Sequence, residues 1–74
     1  MNTETLVRMA NQIGAFFEPM PDRTQALKDI ALHIKKFWEP RMREQLRLHL
    51  AAGQGSGLSD IVREACTQHA ELLQ

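Results

Sequence analysis

The sequence predicts an all-α fold, a small bundle of four short helices made of a helical hairpin and two shorter helices. Three observations carry this reading. Apolar residues recur at spacings of three and four along four separate stretches. No stretch alternates apolar and polar residues with the period of a strand. The prolines and glycines fall between those stretches, Gly14 excepted. At 74 residues the chain is one helical domain, 1–74.

Helix 1 is expected over about residues 4–17, because Leu6, Met9, Ala10, Ile13, Phe16 and Phe17 share one face of a helix. Thr3 or Thr5 is placed to cap it, Glu4 suits the positive end of the helix dipole, and Pro19 with Pro21 stops it. Gly14, a weak helix former inside the apolar stripe, marks a place where another helix passes close.

Helix 2 is expected over about residues 22–38, with Asp22 as its cap. Its stripe of Leu27, Ile30, Ala31, Ile34, Phe37 and Trp38 repeats the spacing of helix 1 position for position. Two matched stripes across the short loop Glu18-Pro19-Met20-Pro21 predict an antiparallel hairpin. Pro40 disfavours helical geometry at Glu39 and suits the first position of a new helix, so the chain bends there.

Helix 3, over about residues 40–52, is expected to bury Met42, Leu46, His49 and Leu50. The glycine-rich segment 53–57 lacks the lysine and hydroxyl of a phosphate-binding loop and reads as a flexible linker. Helix 4 is expected over about residues 59–73, with Ser59 as cap and a stripe of Ile61, Val62, Ala65, His69, Leu72 and Leu73. It is the least anchored of the four, since its linker is loose.

Nine basic and nine acidic residues cancel, but unevenly. Lys35, Lys36, Arg41, Arg43 and Arg47 face only Glu39 and Glu44 in the middle of the chain, while both flanks are slightly acidic. A single cysteine, Cys66, forms no internal disulfide and fits a reducing compartment. The first residues lack the basic-then-apolar pattern of a secretory signal, and no apolar run approaches the ~20 residues of a membrane span. A cytoplasmic location follows as the expectation, with no membrane partner.

Catalytic chemistry finds little to work with. His33, His49, His69 and Cys66 show none of the spacings that hold zinc, so no metal site is expected. Cys66 and His69 are the only adjacent nucleophile and base, without an orienting group, and Cys66 reads as a half-buried thiol. Helix 2, the turn at Glu39-Pro40 and a basic helix 3 outline a helix-turn-helix, but a neutral chain with acidic flanks neutralises few phosphates. Nucleic acid is therefore the weaker alternative.

A protein-binding surface has more support. Val7, Leu32 and Leu48 lie about 115–145° from the centres of their helices' stripes. A core in so short a chain supplies only about 3–5 kcal/mol. The junction Trp38-Glu39-Pro40-Arg41 reads as exposed and holds two residue types favoured at binding hot spots. The competing reading of Trp38 is a plug at the end of the bundle.

The run Leu6-Val7-Arg8-Met9-Ala10-Asn11-Gln12-Ile13-Gly14, then Phe16-Phe17, His33 and Phe37-Trp38-Glu39-Pro40-Arg41-Met42-Arg43, resembles the delta subunit of NAD-dependent formate dehydrogenase over about residues 6 to 65. The resemblance implies a non-catalytic accessory subunit of a soluble bacterial complex that oxidises formate and passes electrons to NAD. It would dock on the large catalytic subunit to stabilise or assemble it. The alternative it implies is a transient maturation or cofactor-insertion factor for the same enzyme.

The same resemblance places no cofactor in this chain, and assigns the molybdenum or tungsten pterin, the iron–sulfur clusters, FMN and NAD to partner subunits. The partners it implies are the large catalytic subunit and the NAD-reducing subunits, with a homodimer as the alternative for the isolated chain. Arg8, Asn11, Gln12, His33, Trp38, Pro40, Arg41 and Arg43 match the family pattern. Arg8, Asn11 and Gln12 would form one polar edge, and Trp38, Arg41 and Arg43 another. The stretch Leu58-Ser59-Asp60-Ile61 departs from the pattern, where a proline is expected in many relatives.

Overall fold

The computed structural model, which describes residues 1–74, contains α1 (Thr3–Phe17), α2 (Arg23–Phe37), α3 (Pro40–Ala52), α4 (Asp60–Gln68) and a terminal 3₁₀ turn (Ala70–Leu73), with no strand. The all-α reading holds. No helix is long and apolar enough to cross a membrane.

The helix starts follow from backbone chemistry. Asn2, extended at φ −79° and ψ 148°, caps α1 by accepting the Thr5 N–H through Oδ1 at 2.9 Å. Thr3 and Thr5, expected as caps, are already inside the helix, so Asn2 alone has the extended backbone a cap needs. Asp22 caps α2 by accepting the Gln25 N–H at 3.2 Å. Trp38 and Glu39 are extended, and Pro40 opens α3 where its missing N–H costs nothing.

Helix α2 lies at the centre and packs against α1, α4 and the terminal turn, while α3 packs on α1 and the same turn. Leu6, Ile30, Ile34, Leu46, Ile61, Val62 and Leu73 are the large side chains sealed in the core, and no charged residue is buried with them. Gly14 sits where α1 meets α4, and a Cβ there would lie 2.6 Å from Val62 Cγ2. The close approach read from the sequence is real.

Two expectations are corrected. The expected single helix over 59–73 breaks at His69, whose φ of −119° and ψ of 42° are not helical, and the chain resumes as the 3₁₀ turn. The break lets Leu73 reach the core. Arg47 Nη1 donates to the Leu73 carbonyl at 2.6 Å and Lys35 Nζ to the Gln74 carbonyl at 2.9 Å, so the segment expected to be least anchored holds two cationic ties.

The glycine-rich linker is the second correction. It winds into a turn in which the Gly55 N–H donates to His49 O at 3.1 Å and the Leu58 N–H to Gly55 O at 3.0 Å. Gln54, Gly55 and Gly57 take positive φ, which suits the two glycines. Asn11 clamps the far side of the turn: its Nδ2 donates to Gly57 O at 2.9 Å and its Oδ1 accepts the Ser59 N–H at 2.9 Å. Ser59 occupies the cap position of α4, but its hydroxyl makes no capping bond.

Candidate functional site

Helices α1 and α2 run side by side, and on one flank nothing covers the seam. A groove of about 630 Å³ opens there. From α1 come Met9, Gln12, Ile13, Phe16 and Phe17, and from α2 His33 and Phe37. Trp38, Met42 of α3 and Met1 close the other end. Eight of these ten residues are hydrophobic, so the groove is apolar with two polar side chains along it.

The aromatic side chains form a connected series. Phe16 and Phe17 meet edge to face with centroids 5.0 Å apart, Phe17 lies 6.4 Å from the His33 ring, and His33 lies 4.7 Å from Phe37. Phe17 and His33 are half-buried, whereas Phe16 is 78% and Phe37 71% exposed. Both exposed phenylalanines were expected in the buried stripes. Phe16 and Phe17 sit about 100° apart around α1, and the core takes up Phe17 while Phe16 is left in solvent.

The junction expected to be exposed is turned inside out at Trp38, which is 5% exposed and packs into the core. Arg43 folds back over the same corner, donating through Nη1 to the Trp38 carbonyl at 2.6 Å and the Lys35 carbonyl at 3.3 Å. Asn11 is occupied by the Gly57–Ser59 turn. Three of the eight residues expected at a partner surface thus hold the chain's own fold.

The other five are differently placed. Gln12 and His33 line the groove. Pro40 and Arg41 are exposed at the start of α3, and Arg8 is exposed one turn before Gln12 on α1, lining a separate hollow with His49, Ser56 and Gly57. Arg8 and Gln12 are thus exposed on neighbouring turns of α1, with Asn11 between them taken up by the Gly57–Ser59 turn.

The three exposed apolar residues proposed from helix geometry also divide. Leu48 is 62% exposed, while Val7 and Leu32 are half-buried, Val7 against the core. Of the central cations, Lys35, Arg43 and Arg47 are engaged by main-chain oxygens. Lys36 and Arg41 are exposed and make no ion pair.

Cys66 is fully packed rather than half-buried, and burial pushes its thiol up to about 12. A thiol held protonated is neither a nucleophile nor a metal ligand. No cluster of three or more His, Cys, Asp or Glu side chains is gathered anywhere on the chain.

Against known proteins, the family model for the NADH-dependent formate dehydrogenase delta subunit FdsD matches residues 5–66. No curated protein and no solved structure matches the chain.

Proposed function

The chain belongs to the NADH-dependent formate dehydrogenase delta subunit family, and from that premise we propose that it is a non-catalytic accessory subunit that docks on the large catalytic subunit through its aromatic groove. The observation that carries this reading is the pair Phe16 and Phe37, left in water on either side of one apolar groove. Burying a side chain of that size gains about 1.5–3 kcal/mol. A partner that covered both would recover an amount comparable to the whole core of so small a domain.

The chemistry of the one cysteine supports a chain without an iron–sulfur cluster of its own. Iron–sulfur and pterin-bound metal centres are held by thiolates or other exposed donors, and the one thiol here is sealed in the core. In this reading the pterin-bound molybdenum or tungsten, the iron–sulfur clusters, FMN and NAD all belong to partner subunits, the NAD-reducing subunits among them, in the cytoplasm. With three of five central cations turned onto main-chain oxygens, few remain to neutralise phosphates, which favours a protein partner over nucleic acid.

Capture of the tagged chain from its native cytosol tests the reading, with retained proteins identified and formate-dependent NAD reduction assayed in the eluate. Stoichiometric large subunit with activity is the expected result. Recovery of cofactor-free large subunit alone would replace the structural role with a maturation role. Recovery of neither would overturn the reading.

A further inference from the structure

We infer that the groove receives a short amphipathic helix of the partner, two to three turns long, with apolar side chains facing inward and a carboxylate at the end beside Lys36 and Arg41. This rests on the docking reading above and specifies the form of what docks.

Length and size come first. Met9, Ile13 and Phe16 line the groove at spacings of four and three, a ridge about 10 Å long, or two helical turns. Such a ridge is the complement of apolar anchors placed at i, i+3 or i+4, and i+7 on a second helix. A volume of about 630 Å³ holds a few inserted side chains.

Backbone chemistry selects a helix over an extended segment. Both walls are helices whose own N–H and C=O groups are paired within them, so there is no sheet edge for a strand to join. A strand laid in this apolar groove would leave its polar backbone groups unmatched, whereas a helix satisfies its own.

Charge then sets the direction. Lys36 adjoins Phe37 in the chain and Arg41 adjoins Met42, both groove residues, and neither cation is ion-paired, although Glu39 lies between them in the chain and Glu44 one turn along α3 from Arg41. An acidic residue at that end of the incoming helix finds two donors. A second copy of this chain would bring the same two cations.

The test uses the assembled complex with a photoreactive benzoylphenylalanine in place of Phe16 or, separately, Phe37. Both positions should cross-link to one helical segment of the large subunit carrying Asp or Glu within a turn of its apolar anchors. The variant Lys36→Glu/Arg41→Glu should weaken retention by the large subunit at least tenfold, and replacing the identified carboxylate by lysine should restore part of it. Cross-links to a second copy, cross-links scattered over several segments, or unchanged retention of the charge-reversed variant would overturn the inference while leaving the docking reading in place. Failure of the unsubstituted chain to join the complex would overturn the docking reading itself.

Discussion

Arg43 holds the Trp38 carbonyl at 2.6 Å, so a side chain from the first turns of α3 closes the end of α2. Helix ends leave carbonyls without partners, and a guanidinium is well suited to collect two of them. The bend at Glu39-Pro40 is held from both sides, by the proline that opens α3 and by the arginine that reaches back. Replacing Arg43 with alanine should cost about 1.5–3 kcal/mol, the range for a hydrogen bond to a charged group. Both bonds leave the one nitrogen Nη1, so Arg43→Lys, whose ammonium also donates to more than one oxygen, should recover part of the loss. Urea unfolding followed by Trp38 emission reads this directly, because the chain has one tryptophan and no tyrosine.

Asn11 ties α1 to a turn 46 positions further along the chain. Asn11→Ala removes both of its bonds and should cost about 1–3 kcal/mol. Asn11→Asp keeps the acceptor for the Ser59 N–H but loses the donor to Gly57 O, so its stability should fall in between. Hydrogen exchange at the Ser59 amide should quicken in the alanine variant and much less in the aspartate one.

Gly14→Ala sets two effects against each other. Alanine favours the helix by about 1 kcal/mol. Its Cβ would sit 2.6 Å from Val62 Cγ2 and 3.1 Å from Ile61 Cγ2, and overpacking of this kind costs about 1–3 kcal/mol. The clash should win, giving a lower thermal midpoint, and Gly14→Val should lower it further.

Cys66 gives the alkaline limit. Its folded-state value is raised from 9.0 to about 12 by burial, so between those values the unfolded chain releases a proton that the folded chain keeps. The contribution is fully present below about pH 9 and should be lost at up to about 1.4 kcal/mol per pH unit as pH rises towards 12. Unfolding free energies measured from pH 8 to 11 should show that decline, and Cys66→Ala should flatten it. Thiol reagents at pH 8 should label the wild-type chain only as fast as it unfolds.

Much of this fold was legible in the residues, for identifiable reasons. Pro19, Pro21 and Pro40 act on the backbone locally, so the limits of α1, α2 and the start of α3 could be read from them. Gly14 announced a close helix contact, which the structure makes with α4, because a missing side chain inside an apolar stripe has few other uses. Periodicity names the apolar face of a helix but not which part of it a neighbour will cover, and that is why Phe16 and Phe37 were placed inside.

Arg43 and Asn11 were read as surface contacts because their partners are main-chain oxygens and amides, which leave no mark in a sequence. The break at His69 had no glycine or proline to announce it. Of the candidate site, Gln12 and His33 were expected at a partner surface from the family pattern, while the groove they line came only from the structure, through the exposure of two phenylalanines.

The most direct test of the aromatic face is co-purification of Phe16→Ser/Phe37→Ser with the large formate dehydrogenase subunit, beside an unfolding curve of the isolated variant. Both side chains lie mostly in solvent, so the isolated variant should unfold within about 1 kcal/mol of the wild-type chain. The account predicts a folded variant that is lost from the complex. A folded variant retained as fully as the wild-type chain would contradict it.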